Sequence, residues 1–528
     1  MPLTARTFTT GYSYDAAANR TGFADPEGGS TAYVYDTLIR LQTLTLPAAI
    51  SAGSFGFSYD ALSRRTSLTR PNSVTTSYGY DNLSRLLSVL HKAGTTTIDG
   101  ATYTLDNAGN RTNRTLQPSG VSTTFGYDNL YQLLSATQGG AATETYAYDA
   151  VGNRLSSLAG SYGYNNSNEM NSAPGASFTY DNSGNTLSKT DSTGTTNYTW
   201  DFENRLTSVT LPGTAGTVSF KYDPFGRRIY KSSSSGTTIF AYDADNLIEE
   251  ADSLGAAVAR YSQGLNIDEP LAMLRSSATS FYNADGLGSV SSLSNNAGSL
   301  AQTYGYDSFG KQTAASGTLV NTFQYTARES DIETGLYYYR ARYYDTANGR
   351  FLSEDPVGYD GDGVNFYAYV RGNPINWIDA FGLLAELYCE SIPSTRGGGS
   401  GNLNGIKNGA ALLLARAHHC YIRVKCNGLD ETIELGGPNG NEKYGHPLRN
   451  TFNAKRGGIR TPIKSPGGQN CCQFEDRLLK AFKQFSQNLP EYHGYPGPNS
   501  NTFAFQIITS AGGDVEFPNT AYGSDYLP

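Results

Sequence analysis

The sequence predicts a mainly β chain in which a long repeat array is followed by a small α+β domain. Three observations carry this prediction: a short aromatic phrase recurs at a near-constant spacing, the composition favours turns and strands, and the composition changes abruptly after Leu383. Among 528 residues there are 59 Gly and 39 Tyr but only 3 Met and 2 Trp, and 16% are charged, against ~25% in ordinary soluble domains. Gly serves tight turns and Tyr serves strands, so a helical bundle is disfavoured. The length exceeds the ~250–300 residues at which one core usually stops growing, so more than one structural unit is expected.

The charge balance narrows the partners. With 39 basic against 47 acidic residues the net charge is −8, which supplies no basic footprint for nucleic acid. No window approaches the ~18 consecutive apolar residues of a membrane span. The first residues, MPLTARTFTTGYSYD, are polar throughout and lack the apolar segment of a secretory signal, so export is expected to take another route.

The repeats come first in the chain. The phrase aromatic-x-Tyr-Asp, or a close variant, ends at Asp15, Asp36, Asp60, Asp81, Asp106, Asp128, Asp149, Asp181, Asp201, Asp223, Asp243 and Asp307, mostly 20 to 25 residues apart. The wider gap of 32 before Asp181 holds a degenerate copy in which Asn165 takes the Asp place. Self-similarity at this period means units that bury their apolar faces only by stacking on neighbours. In Tyr146-Ala147-Tyr148-Asp149 the two rings leave one face of a strand, and Asp149 opens a turn that Gly152-Asn153 completes. Strand, turn and strand then repeat, and the repeat residues are read as wall, not as catalysts.

Residues 1 to about 383 resemble the YD-repeat shell of Rhs and Tc-toxin C-component proteins. Besides the repeats, the resemblance rests on the run Glu333-Thr334-Gly335-Leu336-Tyr337-Tyr338-Tyr339-Arg340-Ala341-Arg342-Tyr343-Tyr344-Asp345. Gly349-Arg350-Phe351-Leu352-Ser353-Glu354-Asp355-Pro356 continues it, like the Rhs-associated core of that family. The resemblance implies a β-cocoon of spiralling strands around a C-terminal toxin. It divides the chain into a shell over 1–320, a core segment with a self-cleavage motif over 321–383, and a toxin domain over 384–528. The shell starts in mid-repeat, which reads as a fragment or a short orphan form.

The core segment ends in Ile378-Asp379-Ala380-Phe381-Gly382-Leu383, similar to the Asp-Pro-x-Gly-Leu sequence after which family members cut their own chain. The resemblance places the scissile bond between Leu383 and Leu384 and assigns Asp355 and Asp379 as an aspartyl pair. Two facing carboxylates cannot both ionise cheaply, so one keeps a proton as acid while the other activates water. By spacing alone both are ordinary turn residues beside Pro356 and Gly382; the family motif is what makes them catalytic. Ala380 departs from the family's Pro, which loosens the backbone without removing a reacting group.

The tail differs from the array. All five cysteines (Cys389, Cys420, Cys426, Cys471, Cys472) and four of the five histidines lie in it, and it carries 14 basic against 12 acidic residues, where the first 383 carry 25 against 35. An odd cysteine count argues against a full disulfide framework, and the absence of Cys-x-x-Cys argues against structural zinc, so no metal or cofactor is expected. Periodicity predicts helices over 405–417 and 472–487, and strands over 419–425 and 430–435 around the Asn427-Gly428 turn.

The ending Pro496-Gly497-Pro498-Asn499-Ser500-Asn501-Thr502-Phe503 resembles an uncharacterised bacterial family. It also bears a more distant likeness to permuted papain-like enzymes, in which a strand His precedes a nucleophile at a helix start. That likeness implies His419 as base and either Ser500 or Cys471 as nucleophile, with a helix N-terminus lowering a thiol pKa and steadying an oxyanion. A cap role for Ser500 and core roles for Cys471 and His419 stand beside it.

The function these readings imply is a polymorphic toxin whose shell carries and releases an effector, a hydrolase or acyltransferase used against competing bacteria or a host. Its expected partners are an immunity protein for the tail and a delivery machine of type VI or Tc kind, with no nucleic acid and no membrane span. It is expected to be a secreted or delivered effector acting in the target cell. A surface adhesion or carbohydrate-binding repeat protein, and a cocoon with a membrane-disrupting tail, are the alternatives.

Overall fold

A computed structural model describes residues 6–358 and 364–383, together with the backbone of three strands further on. Among the described residues, fifteen strands between Gly11 and Ser161 form one sheet (sheet I) and sixteen between Gly163 and Ser316 form a second (sheet II). In each, every strand pairs antiparallel with its neighbours in sequence and no connection crosses over. The chain divides into two compact units, the first taking residues 1–359 and 363–384, the second most of those from 385 on.

The repeat phrase builds each hairpin end. At Asp149 the backbone N–H bonds the Asn153 carbonyl (3.0 Å) and the Gly152 N–H returns to the Asp149 carbonyl (3.1 Å). One carboxylate oxygen accepts the N–H groups of Val151 (3.0 Å) and Asn153 (2.8 Å), and the other accepts the Asn153 amide (2.9 Å). Gly152 sits at φ +85°, as a three-residue loop closed by a bulge requires. Asn165 uses the same acceptors toward Ser167 and Glu169, and donates its amide to the Glu169 carboxylate (2.5 Å), so Asn is accommodated by an acid four residues on.

The tyrosine before each Asp has its own task. In most copies its hydroxyl donates to a backbone carbonyl on an earlier strand: Tyr59 to Leu41 (2.8 Å), Tyr127 to Arg111 (2.6 Å), Tyr222 to Leu206 (2.6 Å), Tyr306 to Val290 (3.0 Å); Tyr148 makes no such bond. Trp200 replaces Tyr at Asp201 and donates its indole N–H to Thr186 (2.7 Å), which preserves the donor. Arginine after the turn reaches forward, as Arg64 does to the Asp81 carbonyl (3.0 Å) and Arg85 to that of Asp106 (2.8 Å). Copies that carry both Tyr and Arg, such as Tyr59 with Arg64 and Tyr80 with Arg85, are thus tied both backward and forward.

Asp81→Ala is expected to lower stability by about 1–2 kcal/mol in urea unfolding, because three donors lose a charged acceptor, and Asp81→Asn by less. Desolvation opposes ionisation of Asp81, yet the Arg85 N–H and guanidinium hold its carboxyl below the usual range. Its contribution is therefore present above the unfolded carboxyl pKa and is lost as pH falls.

The two sheets meet directly through Phe23, Leu44, Phe55 and Leu68 of sheet I against Ala241, Ile248 and Phe281 of sheet II, with the Phe55 and Phe281 rings 6.0 Å apart. Elsewhere a third sheet lies between them, built from Glu329–Asp331, Leu336–Tyr339, Arg342–Asp345 and Arg350–Phe351. Successive side chains of a strand point to opposite faces. Tyr337, Tyr339, Tyr344 and Phe351 accordingly join a core with Phe125, Leu133 and Ala136 of sheet I. Leu336, Tyr338, Tyr343 and Leu352 join another with Tyr198, Leu206 and Phe220 of sheet II. Both faces being covered explains an unbroken run of buried aromatics where a one-sided strand would alternate.

In the second unit, Cys389–Ser391 pairs antiparallel with His418–Cys426, which pairs with Leu429–Glu434 around residues 427–428. The strands expected at 419–425 and 430–435 are in place within a residue. The helices expected over 405–417 and 472–487 lie outside the described residues.

Candidate functional site

The chain segment that approaches Leu383 is held by three consecutive residues of the inserted hairpin. The Arg340 guanidinium bonds the Ala380 carbonyl, the Ala341 N–H bonds that of Phe381 (3.1 Å), and Arg342 Nε bonds that of Gly382 (2.5 Å). Gly382 has φ +67°, and a Cβ there would stand 2.3 Å from the Tyr339 carbonyl oxygen, so the close approach requires glycine. Ala380, where the family pattern has Pro, is buried.

Arg342 gathers the two aspartates. Its Nη2 lies 2.8 Å from Asp355 Oδ2 and 3.5 Å from Asp379 Oδ2, and its Nη1 donates to the Phe366 carbonyl (2.8 Å). The Asp355 N–H bonds the same Phe366 carbonyl (3.0 Å), which fixes the loop carrying that acid. All three side chains are buried, at 1% exposure for Arg342, 4% for Asp355 and 2% for Asp379. Asp379 Oδ1 accepts the N–H groups of Phe381 (3.2 Å) and Leu383 (3.0 Å), so one carboxyl touches both the cation and the residue preceding the expected scissile bond.

Burial pushes the Asp379 carboxyl up to about 6; the Arg342 guanidinium and the Leu383 N–H pull it down, and Asp355 pushes it up. Burial also depresses Arg342, against the pull of the two carboxylates. A low-dielectric pair sharing one cation can hold one proton between them, which is the arrangement an acid and base pair needs.

Asp355, Asp379 and Leu383 therefore come together in one place. Arg342 was not among the residues singled out from the sequence; its signal is a permanent cation in a strand beside the buried Tyr343 and Tyr344. Leu384, Cys471 and Ser500 lie outside the described residues. His419 stands on the strand His418–Cys426, opposite Glu390 in backbone register. Among the described residues no three His, Cys, Asp or Glu side chains gather around a point that suits a metal ion, and no helix is long and apolar enough to cross a membrane.

Comparison with known proteins gives three family matches. The Teneurin YD-shell family model matches residues 110–375, just over half of the chain, the RHS Repeat matches 59–97, and a protein family of unknown function, DUF3750, matches 451–526. A Bacillus spizizenii protein named tRNA3(Ser)-specific nuclease WapA is 32% identical over 254 residues, which is 45% of this chain and 11% of that protein. The chain thus spans about a tenth of the length of that relative.

Among solved structures, the TcdB2-TccC3-Cdc42 complex superposes with TM-score 0.60 at 22% identity, over 71% of this chain and 22% of that one. The Photorhabdus luminescens Tc holotoxin pore, carrying the TccC3-D651A mutation, superposes with TM-score 0.59 at 22% identity over 74% and 22%. At this identity the likeness is one of fold: large antiparallel sheets of the Tc shell kind.

Proposed function

Because the chain belongs to the teneurin YD-shell family, we propose that it is an Rhs-type toxin whose shell cuts itself from its C-terminal effector after Leu383. The observation that carries this is Arg342 bridging Asp355 and Asp379 while Asp379 accepts the Leu383 N–H. Asp355, closer to the guanidinium, is the base and takes a proton from water. The water oxygen bonds to the Leu383 carbonyl carbon. Asp379 gives its proton to the Leu384 nitrogen as the carbon–nitrogen bond breaks, leaving a Leu383 carboxylic acid, whose proton passes to the ionised Asp379, and a new Leu384 amine.

On a denaturing gel with intact mass, the protein is expected to give fragments ending at Leu383 and starting at Leu384, and Asp379→Asn only the full chain of 56.8 kDa. One intact band from both would overturn the reading and leave the adhesion protein as the better account. The rate should also depend on pH. Asp379 must hold a proton to act as acid, so cleavage in a stopped time course is expected to slow as pH rises above about 6.

The effector's reaction is a separate part of the proposal. Cys471 and Ser500 both lie within the segment matched by the family of unknown function. With His419 on a strand as base, either serves as the nucleophile of a hydrolase or acyltransferase acting on an amide or ester. Toxicity of the tail alone, lost in His419→Ala and in one of Cys471→Ala or Ser500→Ala, tests this. A toxin of this kind calls for an immunity protein in the producer and a delivery machine, and acts in the cell it enters.

A further inference from the structure

Strand Arg154–Ser157 stands near the end of sheet I, Gly163–Tyr164 begins sheet II, and residues 348–350 and 365–372 pass beside both. Between them lies a cavity of about 20 Å³, lined by Tyr148, Asn153, Arg154, Arg350, Asn365 and Tyr367 among others, and by no Asp or Glu among the described residues. Arg154 and Arg350 are each 7% exposed, and neither forms an ion pair with a described residue. Arg154 Nε and Arg350 Nε are buried without hydrogen-bond partners, and the buried Tyr148 hydroxyl meets the Arg154 guanidinium with its own proton unassigned.

The acids on the Arg154 side are engaged elsewhere. Glu144 accepts the Tyr146 hydroxyl (2.7 Å) and the Ser308 N–H (3.1 Å), Asp307 accepts the N–H groups of Phe309 (3.0 Å) and Lys311 (2.9 Å), and Asp149 serves its own turn. Arg154 lies over Phe309 (4.1 Å) and Tyr146 (4.5 Å), and Arg350 lies over Tyr367 (4.6 Å) and donates to the Asn168 carbonyl (2.7 Å). Ring faces offset part of a cation's desolvation, but guanidinium cannot shed its charge, and two buried cations remain without a counter-charge. The volume suits one water or an ion of similar size.

We propose that this cavity binds a small inorganic anion of the chloride class, held by Arg154 and Arg350 with the Tyr148 hydroxyl as a third donor. The anion clamps the junction of the two large sheets to residues 365–367. That clamp is one residue from the Phe366 carbonyl, which Arg342 and Asp355 share.

The test replaces gluconate by chloride at constant ionic strength, using the full chain. The thermal midpoint is expected to rise saturably by about 2–4 °C, and Arg154→Gln and Tyr148→Phe to lose most of that rise. The chlorine-35 line of the wild-type sample is expected to be at least twofold broader than that of the Tyr148→Phe sample, and to sharpen on adding bromide. Equal midpoints in the two salts, or a chloride line unchanged by the protein, would overturn the proposal. Should Arg154→Gln fail to fold, the chloride line and Tyr148→Phe still decide.

Discussion

Arg342→Met is expected to leave the chain uncut, with any residual cleavage at least ~10²-fold slower than in the wild-type protein, and Arg342→Lys to restore a part of it. The guanidinium does two things that methionine cannot. It neutralises Asp355 and Asp379 together, and its Nε holds the Gly382 carbonyl so that Leu383 meets the acid. Without the cation the pair loses its counter-charge, the Asp379 carboxyl holds its proton to higher pH, and the base loses the cation that faces it. Lysine keeps the charge but not the fork, so it returns neutralisation and loses positioning. The gel reads the cut, and the pH profile separates the causes: a lost base moves the profile to higher pH, whereas misplacement lowers it throughout. A circular dichroism melt shows whether the shell itself has survived.

Arg228→Met is expected to destabilise the protein by about 3–5 kcal/mol without touching the cleavage groups. Arg228 is fully buried, bonds Asp331 through Nη1 and Glu329 through Nη2 (2.9 Å), and lies over the Tyr338 ring (4.6 Å). Glu329 and Asp331 belong to the third sheet and Arg228 to sheet II, so the cluster fastens one to the other. With methionine there, two carboxylates stay buried with Lys231 (3.2 Å from Asp331) as the remaining cation. The loss is a large part of the ~5–15 kcal/mol that holds most domains folded. Adding Glu329→Gln and Asp331→Asn is expected to recover most of it, since the cost comes from stranded charge and not from lost volume. Urea midpoints of the single and triple variants check this.

The repeat hairpins were legible because one motif carries their whole chemistry. Tyr supplies a donor to the preceding hairpin, Asp an acceptor for the turn, and the residue four further on a partner for that acid. Copies that keep the turn but lack the aromatic escaped notice: Asp25, Asp252, Asp285 and Asn295 make the same loops after Ala24, Ala251, Ala284 and Ser294. The inserted sheet could be recognised as a family signature but not placed. Its strands are buried on both faces, so their pattern contains no alternation to say which side faces what. Of the candidate site, the two acids were found by motif and Arg342 was passed over, because in sequence it sits among Arg340, Arg350 and a run of tyrosines with nothing to separate it from them. Its role arises only when the hairpin is threaded between the sheets and the segment 379–383 lies along it.

The neighbour-to-neighbour pairing of both large sheets has a consequence for the order of events during synthesis. Each strand needs only the one made just before it, so the array can zip from its first residues as they leave the ribosome, with little loop closure to wait for. The hairpin of residues 336–345 is made after all thirty-one of those strands, and it is the piece that goes between them. Arg342 rides on it. On the reading proposed above, peptide-bond scission then works as a timestamp: it records the moment at which the last layer has slid home. A nascent chain stalled in its array, or zipped one strand out of step, keeps its effector covalently tethered. The fraction of full-length chain in a fresh translation reaction would count the unfinished molecules.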